Sequence, residues 1–191
     1  IKQSAVATRR CFVVEVMGHW CGYLALLSGM ATGAERVYTH EDGVTLRDLQ
    51  IDVKSLITGF ESGKRLGLII RNEYANQVYT TDFTCALFEE EGHDLFDVRT
   101  AILGHQQQGG NPSPFDRIQA TRFGRLCLEF LIDEIGKGST RSSFIGSQKG
   151  EINYHDMRDF PRLADMEHQR PLEQWWLTFQ KMNRLMAQKG P

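Results

Sequence analysis

No apolar run in this chain approaches the ~20 residues that a membrane-crossing helix needs, which excludes a helical span. The opening Ile1 to Arg10 is mostly polar, so no secretory leader is read there. The four cysteines (Cys11, Cys21, Cys85, Cys127) form no CxxC pair. That spacing gives neither a zinc site nor a disulfide framework, and reduced, mostly buried thiols of a cytoplasmic protein are expected. A formal net charge of −2 provides no general attraction to nucleic acid or to a membrane surface. Several catalytic signatures are also missing. There is no complete P-loop, no GxGxxG fingerprint, no carboxylate cluster, and no Ser or Cys nucleophile signature beside a histidine. The chain opens on Ile1 rather than Met, which suggests a piece of a longer polypeptide.

What remains is an ordinary globular composition, 41% hydrophobic and 24% charged, of a length that suits one domain or part of a larger one. Apolar, β-branched runs at Cys11–Met17 and Leu66–Ile70 predict buried strands, with Arg36–Thr39 and Thr100–Leu103 as shorter ones. Between them lie helical stretches. Cys21–Gly33 is small and apolar, with glycines that permit close approach to a sheet. Thr45–Phe60 places Leu46, Leu49, Val53, Leu56, Ile57 and Phe60 on one face, with Thr45 and Asp48 in capping positions. Thr81–Glu91 is expected to be helical, and a long helix from Ser113 should end near Gly136 and Gly138. Ser142–Ile152 reads as a last strand of edge or hairpin character. The tail from Leu172, with Trp175, Trp176, Leu177, Phe179, Met182, Leu185 and Met186, reads as a packed helix. Alternating strands and helices predict an α/β fold with a parallel sheet.

The organising stretch is Ile102–Asp116, ILGHQQQGGNPSPFD: a strand end, a polar turn, two glycines, and a helix start marked by Ser113, Pro114 and Asp116. Three strand candidates end in polar groups: Met17-Gly18-His19, Arg71-Asn72-Glu73, and His105-Gln106-Gln107-Gln108. In a parallel sheet these C-terminal ends share one edge, where small ligands bind. Amide, carboxylate and imidazole groups suit sugar hydroxyls and phosphate oxygens. Arg10 and Arg99 fall at the opposite strand ends, where they would serve another site or a neighbouring subunit. Each feature also has a structural use: a glycine turn, a hydrogen-bonding histidine, a solvated arginine. Together they indicate a site for a phosphorylated or hydroxylated small molecule.

Three longer motifs carry a family resemblance. VEVMGHWCGYLALLSGMATGAE, LGHQQQGGNPSPFDRIQATRFG and PLEQWW resemble ATP-dependent 6-phosphofructokinase, and the similarity runs from about Arg9 to about Leu185. The resemblance implies the phosphofructokinase fold, a parallel-sheet sandwich with flanking helices, of which this chain would be a partial lobe. It also implies phosphoryl transfer from ATP to the 1-hydroxyl of fructose 6-phosphate, with Mg-ATP bound outside this segment. Catalytic halves of the family read MGR and HxQRGG where this chain has His19 and Gln108. NEYANQVYTTDF and PLEQWW resemble C-terminal halves. All 191 residues are therefore read as the C-terminal portion of the regulatory lobe, with no internal boundary and no catalytic or metal residue. The resemblance makes it the seat of a fructose 2,6-bisphosphate effector site and of subunit contacts.

Carried over by motif, that site comprises Met17, Gly18 and His19 against the sugar, Glu73 on sugar hydroxyls, and His105, Gln106, Gln107 and Gln108 at the phosphate turn. Arg10 and Arg99 would reach the site of an adjacent subunit. Family members read EHRIP before the tail, whereas this chain reads Glu167-His168-Gln169-Arg170-Pro171, so Arg170 is the candidate for the basic contact. Two other readings stay open: a catalytic half with altered motifs, and a structural half needed for assembly.

Overall fold

A computed structural model describes residues 7–148 and 150–186. Lys149 of the expected Ser142–Ile152 strand, and most of the opening segment read for a leader, lie outside the described residues. The chain forms two compact units. The first contains the chain up to Gln108, together with His168–Arg170 and the tail from Gln174. The second contains Gly109–Glu167 and Pro171–Glu173.

The first unit is built on four parallel strands: β1 (Arg10–Val16), β2 (Arg36–Tyr38), β3 (Leu66–Asn72) and β4 (Asp97–Ile102), in the order β2-β3-β1-β4. In register, Glu15 of β1 lies between Arg71 of β3 and Ile102 of β4, so the C-terminal ends of all three fall on one edge. Side chains alternate between the faces of a strand, and β1 divides them cleanly. Cys11 and Val13 join Ile69, Leu49, Val53, Phe60 and Phe88 in one buried cluster. Val14 and Val16 join Leu68, Ile70, Ala25 and Ala34 in a second. Helices α1 (Tyr23–Thr32), α2 (Leu46–Glu61) and α3 (Thr81–Gly92) follow the strands. Residues of α2 and α3 belong to the first cluster and α1 contributes Ala25 to the second, which is the expected sandwich. Gly29 of α1 shows why that helix is rich in small residues: a Cβ there would lie 2.2 Å from Val37.

Helix α2 begins where the sequence places it. The Thr45 hydroxyl accepts from the Asp48 N–H, and the Asp48 carboxylate accepts from the Thr45 N–H, closing a capping box. The Thr45 hydroxyl and then the Thr45 N–H, both donating to the Asp48 carboxylate, hold it below its ordinary range. A depressed carboxyl stabilises the fold above its unfolded-state pKa, and the contribution is lost as pH falls through the folded one. Asp48→Ala should cost about 1 kcal/mol, the usual worth of such a cap. Hydrogen exchange of the first-turn amides of α2 checks this, with faster exchange expected in the variant.

The tail is less regular than the expected single helix. A 3-10 segment (Trp175–Phe179) precedes a short helix Gln180–Met186. Trp176 is buried and meets Tyr23 edge-on at 5.2 Å as a packing residue, whereas Trp175 is 52% exposed.

In the second unit, α4 (Pro114–Gly136) carries Pro114 in its first turn and a capping box between Ser113 and Asp116. No residue of α4 is buried. The expected last strand is a hairpin, β5 (Ser143–Gln148) antiparallel to β6 (Glu151–Asp156). Tyr154 of β6 stacks on Phe130 at 4.9 Å and donates its hydroxyl to the Leu126 carbonyl at 2.5 Å.

Candidate functional site

Beyond β1 the backbone turns sharply at Gly18, whose φ is +142°. A Cβ there would stand 2.5 Å from the Cys21 carbonyl oxygen and 3.1 Å from Asn72 Nδ2, so only glycine fits. The next residue, His19, is also left-handed, at φ +48°. One oxygen of Glu73 holds this turn open by accepting from the N–H groups of both Gly18 (2.9 Å) and His19 (2.7 Å). On the other side the Met17 N–H donates to Gln107 Oε1 at 2.7 Å. Gln107 belongs to a 3-10 turn, Gly104–Gln108, that follows β4. Within it His105 Nδ1 lies 3.1 Å from Gln108 Oε1. The ends of β1, β3 and β4 are thus tied to one another by side chain to backbone hydrogen bonds.

A pocket of about 420 Å³ opens at this junction. Met17, Gly18 and His19 form one wall, with Leu24 beside them. Gln107 and Gln108 form a second, and His168 with Gln169 a third. Among the described residues the lining contains no carboxylate, lysine or arginine. His19 rests on Tyr74 (ring centroids 5.3 Å apart) and against the edge of Trp20 (5.9 Å). His168 meets Trp20 at 6.2 Å and His40 at 5.3 Å.

The residues singled out from the sequence separate into four groups. Met17, Gly18, His19, Gln107 and Gln108 line the pocket. Glu73, His105 and Gln106 stand outside the lining, where Glu73 sets the turn and His105 contacts Gln108. Arg10 and Arg99 lie towards the other ends of their strands, both close to Asp97, at 3.6 Å and 3.2 Å. Seven residues of parallel strand put Arg10 about 20 Å from Met17.

Arg170, the expected basic contact, stands outside the pocket lining. Its side chain is 13% exposed. It donates to the Trp20 carbonyl at 2.5 Å, sits 3.2 Å from His40 Nδ1 and lies 3.6 Å from Glu41. Gln174, with its amide turned to satisfy both neighbours, donates to Glu41 and accepts from Arg170 Nε. Glu41 in turn accepts from the Gly22 N–H at 2.9 Å. Arg170 therefore braces the loop that carries His19 and Trp20. Burial, with the Arg170 charge alongside, holds the His40 imidazole below its ordinary range.

Arg71 also leaves the crevice. It is fully buried and donates to the carbonyls of Tyr79 (3.0 Å) and Asn76 (3.1 Å). His168 is a pocket residue that sequence reasoning missed. It sits on the short segment His168–Arg170, which rejoins the first unit between Glu167 and Pro171 of the second.

Among the described residues no group of three or more His, Cys, Asp or Glu is placed to hold a metal ion. No described helix is long and apolar enough to cross a membrane.

A family model described as Phosphofructokinase matches residues 1–131. The muscle-type ATP-dependent 6-phosphofructokinase of Mus musculus is 40% identical over 199 residues, covering 98% of this chain and 25% of that protein. The ATP-dependent 6-phosphofructokinase of Dictyostelium discoideum is 46% identical over 179 residues, covering 93% and 22%. Among solved structures, phosphofructokinase from Saccharomyces cerevisiae superposes with a TM-score of 0.92 at 33% identity, covering 97% of this chain and 26% of that one. That of Pichia pastoris in the T-state gives 0.87 at 30% identity, covering 100% and 24%. The chain spans about a quarter of the length of these relatives.

Proposed function

Because this chain belongs to the phosphofructokinase family, we propose that it is the C-terminal part of the regulatory half of an ATP-dependent 6-phosphofructokinase. In that reading the full-length enzyme phosphorylates fructose 6-phosphate in the cytoplasm, and Mg-ATP is held by parts of the polypeptide outside this segment. The pocket at the ends of β1 and β4 binds fructose 2,6-bisphosphate as an effector.

One observation carries the choice between effector and catalytic site. Phosphoryl transfer to a sugar hydroxyl needs a base within hydrogen-bond reach of that hydroxyl and charge to hold the transferring group. Among the described residues the pocket lining offers amides and imidazoles, and no carboxylate. Such a surface recognises a sugar phosphate without reacting with it. The altered residues agree: where catalytic halves carry arginine, this chain has His19 and Gln108. A purely structural half would have no use for two accessible arginines, one half-buried and one exposed, towards the far strand ends. Arg10 and Arg99, at 28% and 49% side-chain exposure, suit contacts to a neighbouring subunit's ligand.

The test is a titration of fructose 2,6-bisphosphate into the full-length enzyme, read as catalytic activation. Gln107→Ala removes the acceptor that positions Met17. It should raise the half-activating concentration about tenfold, the worth of one good hydrogen bond at a binding site. Arg99→Ala should have an effect of similar size through the adjacent subunit. Unchanged activation in both variants would move the effector site elsewhere.

A further inference from the structure

Glu41 stands outside the pocket lining, on the turn after β2, with its side chain 6% exposed. Its carboxylate nevertheless reaches two of the pocket's walls. Both oxygens accept from the Gly22 N–H, at 2.9 Å and 3.0 Å, and Gly22 ends the loop that starts at Met17. The same carboxylate lies 3.6 Å from the guanidinium of Arg170, the residue after Gln169 of the third wall. Resting on the sugar-phosphate reading above, we propose that Glu41 is a positioning residue of this pocket. It fixes the Met17–His19 wall against the His168–Gln169 wall at the separation the ligand requires, and it acts on affinity without touching the ligand.

All of these residues belong to the first unit. The loop from Gly18 to Gly22 is clamped by a carboxylate at each end. Glu73 accepts from the N–H groups of Gly18 and His19, and Glu41 accepts from that of Gly22. Between the clamps the Trp20 carbonyl accepts from Arg170 at 2.5 Å. A buried carboxylate is costly to leave unpaired, and a helix N-terminus is one place where its charge is favoured. Glu41 has that place, because Gly22 is the N-cap of α1. The packing around it leaves no slack: a Cβ on Gly22 would stand 2.7 Å from Glu41 Oε2 and 2.5 Å from Thr39 Cβ. Gln174, turned as described above, donates to Glu41 and accepts from Arg170 Nε, which ties the pair to the tail. What this brace holds is strained. His19 on one wall and Gln169 on the other both have left-handed backbones, at φ +48° and +50°. Non-glycine residues pay energy for that conformation and keep it where the surrounding contacts over-determine it. Without Glu41 the two walls lose the carboxylate they share, and both residues are released to relax away from the ligand.

The experiment is calorimetric titration of fructose 2,6-bisphosphate into the full-length enzyme, with the activator-free kcat and KM measured beside it, for the wild type, Glu41→Asp and Glu41→Gln. Aspartate keeps the charge but is shorter by one methylene, so it cannot hold Gly22 and Arg170 together. Glutamine keeps the length and an acceptor oxygen for the Gly22 N–H. We expect Glu41→Asp to bind about tenfold more weakly, the scale of one hydrogen bond to a charged group. Glu41→Gln should stay close to wild type, and the activator-free constants should be unchanged in both. Wild-type affinity in Glu41→Asp overturns the assignment. So does tighter binding by Glu41→Gln, since Glu41 would then act by offsetting the Arg170 charge and not by holding the walls. A loss of activator-free activity equal to the loss of binding marks general damage to the fold and overturns it as well. Absence of binding by the wild-type enzyme overturns the sugar-phosphate reading beneath the assignment, and the assignment with it.

Discussion

Replacing Arg71 with leucine is expected to destabilise the β3 region by about 3–5 kcal/mol, the cost of breaking a buried charged network. The residue is 1% exposed and lies in the middle of the sheet's polar edge. Burial pulls its guanidinium below the ordinary range, and nearby Glu15 opposes that shift. Leucine would fill much of the volume but leave the carbonyls of Tyr79 and Asn76 without donors. The segment Asn72–Thr81, which turns the chain from β3 into α3, would lose its inner anchor. Glu15, which accepts from the Thr81 hydroxyl, would also lose its facing charge. A loss of that size is a large fraction of the ~5–15 kcal/mol that typically holds a domain together. Hydrogen exchange of the β3 amides measures it directly, because those amides open only with the sheet. Arg71→Lys should lie between, since an ammonium reaches one carbonyl more easily than two. Unchanged β3 protection in Arg71→Leu would mean that the buried charge contributes nothing to the sheet edge.

The second large effect is expected at Glu73. Its single oxygen accepts from two successive N–H groups, those of Gly18 and His19. Hydrogen bonds to a charged group contribute roughly 1.5–3 kcal/mol each. Glu73→Ala should therefore release the turn, free the left-handed His19 and weaken fructose 2,6-bisphosphate binding on the order of a hundredfold. Glu73→Gln keeps an acceptor oxygen in the same place and should retain most of the binding. Calorimetric titration of both variants separates the two roles discussed for this residue. If Glu73 instead holds sugar hydroxyls directly, the glutamine variant should suffer nearly as much as the alanine one. A glutamine variant close to wild type assigns Glu73 to positioning the turn.

The framework of the first unit was legible because its signals are local. A continuous apolar, β-branched run marks β1, the helical spacing from Leu46 to Phe60 marks α2, and Thr45 with Asp48 fixes where α2 starts. The convergence of three strand ends followed from parallel pairing alone. The individual roles at that edge were less legible. Arg71 and Glu73 are two residues apart and read as one polar group, but the chain turns after Asn72, where the Ala75 N–H donates to the Asn72 carbonyl. That turn separates a buried guanidinium from a carboxylate at the pocket rim. Arg170 looked like a ligand because it is basic and adjacent to the expected column. Its partners Trp20, His40 and Glu41 lie about 130–150 positions earlier, a distance no periodicity reports. His168 was missed for the same reason. The hairpin at β5 and β6 was only half visible, since Gly150 turns the chain at φ +84° inside what reads as one strand.

The most direct test of the account is a structure of the full-length enzyme with fructose 2,6-bisphosphate bound. The account predicts ligand density within hydrogen-bond reach of the Met17–His19 turn and of the Gln107–Gln108 turn, with Arg170 still paired to Glu41. Density confined to another part of the enzyme, with this pocket left to solvent, would contradict it.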